Sequence, residues 1–350
     1  MQQRYRVVFK VVVIILLIWG YIYSVEGRVR HIYPHIKVVT LLCDLGTFSF
    51  LSASVITFLT ILHNGKSEIT RFQLPFSLNI PDGEKPTYHY FKVFPIALLI
   101  GIAPFTTLYS DLVTLKYFFV MNFDFVIFAY AMDGVTSLLE NLANNFAYLN
   151  GLLKKSCQNI TFQANNHYWN VKNVLIRKET LTIIKFVAVS HDRLCGCVEE
   201  FNAVFGLVII LSILYILLGM MYVMVCLVDS TTYINFISDN WWLMPAYVVW
   251  LIFLIVTTLL LANVGNAIEK EILNTQKTCF DNISHYLQMT TNETSKILVE
   301  LLRLHDQIST AKITVNAAGC FHMNLNLIGT MYSALTTLSV YAVEFTLYYS

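Results

Sequence analysis

Residues Leu325 to Ser350 read LNLIGTMYSALTTLSVYAVEFTLYYS. A run of roughly 20 apolar residues spans a bilayer as a helix. This one carries a single carboxylate, Glu344, close to its far end. A charge in hydrocarbon is costly unless it faces protein or water. Glu344 is therefore expected to face a water-filled path, and the helix that holds it to line a pore. The plainer alternative is that Glu344 snorkels to the nearby interface.

The rest of the chain has the same character. It has 350 residues, 56% hydrophobic and only 13% charged, where ordinary soluble domains carry about 25% charged residues. No soluble core uses so much apolar surface, so the chain reads as a polytopic membrane protein. A net charge of +1 leaves no electrostatic footprint for nucleic acid. The first apolar run has no small-residue cleavage site after it and is expected to be a membrane helix that also serves as the start signal.

Seven stretches are long and apolar enough to span: Val7–Val25, Lys37–Leu62, Phe94–Leu115, Tyr117–Ala147, Phe201–Leu227, Leu243–Val264 and Leu325–Tyr349. With the N-terminus in the cytoplasm, all but four of the 23 Lys and Arg residues fall on the inner side; the four are Arg28, Arg30, Lys37 and Lys116. Positive charge favours the cytoplasmic side. The expected fold is an all-α membrane protein with seven transmembrane helices, N-terminus cytoplasmic, C-terminus extracellular, and helical cytoplasmic anchor extensions. Residues 1–147 hold spans one to four and 148–200 a cytoplasmic extension. Residues 201–264 hold spans five and six, 265–324 a cytoplasmic anchor, and 325–350 the pore-lining helix. This orientation puts the sequons at Asn159, Asn282 and Asn292 in the cytoplasm, unglycosylated.

The inner segments carry helical periodicity. Ile184, Val187, His191, Leu194, Val198 and Phe201 recur in steps of three and four, as one buried face of a helix would. Leu298, Leu301, Leu302, His305 and Ile308 form a second stripe. The two pack either within one subunit or between subunits. The seven cysteines show no paired spacing of a zinc site; Cys43 and Cys226 are the pair placed to bridge near the outer face.

Several ionisable residues lie inside spans, among them Asp44, Asp111, Asp124, Asp133 and Glu140, with no Lys or Arg within the central spans to pair with them. In this orientation Asp44, Asp111 and Asp124 fall in outer halves of helices. Tyr109, Asn122, Tyr130, Tyr222, Trp242, Tyr247 and Trp250 occur at similar depth. Aromatic walls with a few placed polar groups are the usual design of a small-molecule site, and Pro104 would kink the third span and open space there. The competing readings are an interfacial aromatic belt for Trp242 and a headgroup-level position for Asp111. His191-Asp192 and His305-Asp306 lack the further ligands that a metal hydrolase needs. No Walker loop, H-E-x-x-H or G-x-S-x-G occurs. No catalytic residue, metal site or cofactor is expected.

Three motifs in the last third carry a family resemblance: Leu301-Leu302-Arg303-Leu304-His305-Asp306-Gln307, Asn316-Ala317-Ala318-Gly319-Cys320-Phe321, and Thr337-x7-Phe345. Together they resemble the C-terminal region of insect gustatory receptors, whose signature is Thr-Tyr, five apolar residues, then Gln-Phe. Leu338 stands at the Tyr position and Glu344 at the Gln position. The resemblance implies a tetrameric, ligand-gated cation channel in the plasma membrane that detects a small-molecule tastant, alone or mixed with other gustatory receptors. It also implies that each subunit gives its last helix to a central pore, that cytoplasmic helices make the main subunit contact, and that Thr337, Tyr341, Glu344 and Phe345 belong to the pore and gate. The alternatives are the related odorant-receptor class and, from a different class, a secondary transporter of small solutes. No internal repeat supports the transporter.

Overall fold

The computed structural model describes residues 2–31, 38–64, 112–164, 171–232, 243–287, 294–311 and 313–348. They form the helices α1 (Gln2–His31), α2 (Val38–Asn64), α3 (Leu112–Ala164), α4 (Val171–Thr232), α5 (Leu243–Leu287), α6 (Thr294–Thr310) and α7 (Leu325–Tyr348). A short antiparallel hairpin, β1 (Asn316–Ala317) and β2 (Phe321–His322), precedes α7.

Among the described residues, four helices are long and apolar enough to cross a membrane by length and composition. The stretches are Leu41–Leu62, Phe123–Gln158, Lys178–Cys226 and Tyr247–Leu287, and α1 adds a shorter apolar stretch, Val11–Gly27. Helix α7 is not among the four, because Asn326, Thr330, Ser333, Thr336, Thr337 and Ser339 dilute its apolar character. The expected third span, Phe94–Leu115, lies outside the described residues except for its last four, which open α3.

The 62 residues of α4 extend about 93 Å at the helical rise, three times the hydrocarbon thickness of roughly 30 Å. Its interior contains no proline to interrupt the hydrogen-bond ladder. The single proline of α5, Pro245, sits in the first turn, where a missing N–H costs nothing. Helix α4 is the hub and packs against α2, α3, α5, α6, α7 and β1. It runs antiparallel to α2, as Gly46 beside Leu218 and Ser54 bonded to Ser212 at 3.0 Å show. It runs antiparallel to α3 as well, through Phe128 on Tyr215 and Phe146 on His191.

The seam expected on the first half of α4 is buried throughout, from Ile184 to Phe201. The α6 stripe needs correction. Its buried row is Ile297, Leu301, Leu304 and Ile308, whereas Leu302 faces outward. A 3.6-residue period puts Leu301 and Leu302 about 100° apart, so both cannot face one neighbour. The bridge expected between Cys43 and Cys226 is also corrected. Both are free thiols, and the Cys226 sulfur is engaged instead by the Tyr222 and Tyr247 hydroxyls.

Polar ties join α3 to α5 and α4 to α6. Asn150 donates to the Glu271 carbonyl and carboxylate, each at 2.8 Å, and accepts from Thr275. Lys185 pairs with Glu300 at 3.4 Å, and Gln307 donates to the Ala188 carbonyl. The two His-Asp dipeptides are packing elements. His191 is buried edge-on to Phe146 with Nδ1 3.3 Å from the Cys195 sulfur, while Asp192 faces outward. His305 lies against Phe280. No group of three His, Cys, Asp or Glu that could hold a metal occurs among the described residues.

Leu301 is fully buried and Leu302 about half exposed, one residue apart. Leu301→Ala is expected to destabilise the fold by about 2–5 kcal/mol and to lower the thermal unfolding midpoint of the detergent-solubilised protein. Leu302→Ala should leave the midpoint of the dissociated subunit unchanged, and equal losses would contradict this packing.

Candidate functional site

Helix α7 has two unlike faces. Leu327 and Met331 are buried against the bundle. On the other side Asn326, Thr330, Ser333, Thr337, Tyr341 and Glu344 are all exposed. Their spacing of four, three, four, four and three residues keeps them in one stripe along the helix. Thr330 and Thr337 satisfy their hydroxyls on the carbonyls of Asn326 and Ser333, at 3.1 and 3.0 Å, which lets them tolerate an apolar setting. Glu344 has no such recourse, since an ionised carboxylate only accepts. The side chain of Phe345 lies outside what the structure describes.

A second concentration of polar groups lies inside the bundle. Tyr222 of α4 stacks edge-on to Tyr247 and Trp250 of α5, with ring centroids 6.3 and 5.8 Å apart. Trp250 donates its indole N–H to the Tyr215 hydroxyl at 3.1 Å, and Tyr215 packs on Phe128 of α3. The Asp44 carboxylate of α2 is buried within electrostatic reach of the Tyr222 and Tyr247 hydroxyls. Asp124 of α3 is 1% exposed; Ser52 of α2 donates to its Oδ2 at 2.5 Å, and its Oδ1 is buried without a hydrogen-bond partner. Four helices thus bring two carboxylates, four phenol or indole donors and several ring faces into one region. Such a region can hold a small solute by hydrogen bonds and ring contact.

Of the residues expected here, Asp44, Tyr222, Tyr247 and Trp250 come together, and Asp124 is joined to them through Phe128, one helical turn along α3, and Tyr215. Tyr130 points outward and is 66% exposed, away from the cluster. Asn122 lies on α3 with its side chain outside what is described, and Tyr109, Asp111 and Trp242 lie outside the described residues. Tyr215, Ser52 and Phe128 were not anticipated. Tyr215 had a signal: it precedes Tyr222 by seven residues, two turns on the same helical face. A separate cleft of about 380 Å3, lined by Asn266, Glu269, Lys270, Leu273, Asn324, Leu325 and Asn326, opens at the base of α7.

Membrane-length helices, carboxylates buried among them, and a terminal helix with an unpartnered polar face define a polytopic helical membrane protein. The 7tm chemosensory receptor family profile matches residues 86–349, well over half of the chain. The chain belongs to this family, the insect chemosensory receptors, which are receptors rather than enzymes. Its fold is similar to that of the olfactory receptor OR5 from Machilis hrabei in complex with eugenol, at 12% identity and a TM-score of 0.53 over 94% of this chain and 88% of that one. A second structure of that receptor aligns over 93% of this chain and 86% of that one, at 11% identity and a TM-score of 0.58. A comparison with curated protein sequences gives no match.

Proposed function

We propose that this chain is a subunit of a tetrameric gustatory receptor of the plasma membrane, a cation channel opened by a small-molecule tastant. Its N-terminus faces the cytoplasm and its C-terminus the outside, with seven spans and α7 at the pore. The observation that carries this reading is the α7 stripe. Six polar side chains lie in one line on a helix of membrane length, exposed on the isolated subunit. Lipid would penalise that face and a water-filled axis would not. Four copies around an axis place four Glu344 carboxylates in a ring, which favours cations. Thr337, Tyr341 and Phe345 belong to the same wall and gate.

The ligand site in this reading is the cluster of Asp44, Asp124, Tyr222, Tyr247 and Trp250, with Tyr109, Asp111, Asn122, Tyr130 and Trp242 as further candidates. That the similar olfactory receptor was obtained with eugenol supports a small organic ligand. The Thr337-x7-Phe345 pattern supports the gustatory over the odorant class. A ligand opens such a channel only by binding the open state better than the closed one.

The test is electrical. In cells lacking the native G proteins, a tastant screen by calcium imaging followed by patch recording should find ligand-evoked cation current. Saturable uptake without channel openings would establish a transporter instead. Glu344→Gln should lower the permeability of Ca2+ relative to Na+ by about threefold, because the ring loses its charge. Unchanged relative permeability would place this side chain off the axis.

A further inference from the structure

The hairpin before α7 is seated backbone to backbone on two other helices. A Cβ on Gly206 of α4 would fall 2.5 Å from the Ala318 nitrogen, and one on Gly265 of α5 would fall 1.8 Å from the Met323 carbonyl oxygen. Both contacts are with main chain, so no side chain can swing aside. The edge of the hairpin is also held. Asn202 of α4 donates to the Thr314 carbonyl at 2.9 Å and accepts from the Asn316 N–H at 3.0 Å, pairing with β1 as a neighbouring strand would. Val315, Ala317 and Met323 are buried against the bundle. The turn itself uses left-handed backbone at Ala318 (φ 45°) and Gly319 (φ 77°), closed by Cys320 N–H to the Ala317 carbonyl at 2.9 Å.

The hairpin has almost no slack toward α7. Met323 closes it by donating to the Val315 carbonyl at 2.8 Å. The next residue, Asn324, caps α7 by accepting from the Asn326 N–H at 3.1 Å, and its amide reaches Glu269 of α5 at 3.5 Å. The first turn of α7 therefore follows the clamped backbone by one residue. The aromatic cluster is built on the same two helices, through Tyr215 and Tyr222 of α4 and Tyr247 and Trp250 of α5. Tyr222 lies 16 residues from Gly206, about 24 Å along the helix, and Trp250 lies 15 residues from Gly265, about 22 Å. A change in how α4 sits against α5 at the cluster reaches the hairpin through continuous helix.

We propose that Gly206 and Gly265 are positioning residues: they seat the hairpin Val315–Met323 between α4 and α5, and through it set where the base of the pore helix stands, coupling the cluster to the gate. The coupling rests on the channel reading above; the seat itself does not.

The two parts are separable by experiment on the full-length protein in lipid nanodiscs and proteoliposomes. Gly→Ala inside a helix ordinarily stabilises it by about 1 kcal/mol. Gly151→Ala and Gly196→Ala, where a Cβ meets open space, serve as controls and should leave hydrogen exchange across the hairpin unchanged. Gly265→Ala, and more mildly Gly206→Ala, should raise exchange of residues 313–330 by about tenfold relative to the buried core of α3. Asn202→Ala, which removes both strand-like bonds without steric intrusion, should act in the same direction even where Gly265→Ala does not fold. In proteoliposomes loaded with a thallium-sensitive dye, ligand-free cation flux of the hairpin variants should rise at least about threefold over wild type. Unchanged exchange in 313–330 for both Gly206→Ala and Asn202→Ala overturns the seat. Raised exchange with wild-type flux, in preparations where Phe345→Ala conducts, overturns the coupling. If Phe345→Ala does not conduct either, Phe345 is not the gate, the proposed coupling to it falls with it, and the exchange result alone judges the seat.

Discussion

Phe345→Ala is expected to conduct cations with no ligand present. In the proposed tetramer four phenyl rings meet near the outer end of the axis, and a closed apolar constriction holds itself shut by excluding water. Burying one such ring against its neighbours is worth about 1.5–3 kcal/mol. Truncation to a methyl removes most of that contact in every subunit at once. A net loss of only about 1.4 kcal/mol in closed-state preference multiplies the open-to-closed ratio about tenfold. The expected result is a standing leak at least about tenfold above wild type, at equal surface expression measured by biotinylation. A silent variant at normal surface level would remove Phe345 from the gate.

The second large effect concerns assembly. In the proposed topology α5 leaves the membrane after Val264, and from there it exposes Leu273, Phe280 and Leu287, each more than half accessible and spaced seven residues apart, while α6 exposes Val299 and Leu302. A seven-residue repeat of apolar side chains keeps one seam along a helix, and an exposed apolar seam outside lipid marks a surface that something covers. In the proposed tetramer another copy covers it. Phe280→Ser with Leu302→Ser removes about 1.5–3 kcal/mol of burial at each position in every subunit. Native mass spectrometry of the detergent-solubilised variant should then show monomers and dimers where the wild type shows tetramers. The double variant should keep a monomeric unfolding midpoint, because neither side chain is in the buried core. A variant that remains tetrameric would assign this seam to a different cover.

Much of the architecture was legible because membranes and helices both impose simple periods. The buried seam from Ile184 to Phe201 followed from steps of three and four alone, and the structure buries every member. Periodicity misleads between adjacent residues. Leu301 and Leu302 both fit one apolar stripe in the sequence, yet one faces the core and the other faces out. Cys43 and Cys226 share a depth near the expected outer face. Depth along a bundle does not place two sulfurs side by side, and Cys226 bonds to tyrosines instead. Within the cluster, the pairing of Tyr222 with Tyr247 and Trp250 came from helix register, which no local pattern encodes. Ser52 escaped notice because a serine is ordinary anywhere in a helix until a carboxylate stands opposite.

Composition, the apolar runs and the terminal motif were enough to establish a helical membrane protein, its long continuous helices and its family resemblance, since each depends only on residues close together in the chain. Tertiary structure decided which side chains meet across α2, α3, α4 and α5, and it alone made Gly206 and Gly265 stand apart from the other glycines. The physical reason is that a glycine's role is set by the main chain pressed against it, here the hairpin Val315–Met323, and that neighbour comes from more than 50 residues away along the chain.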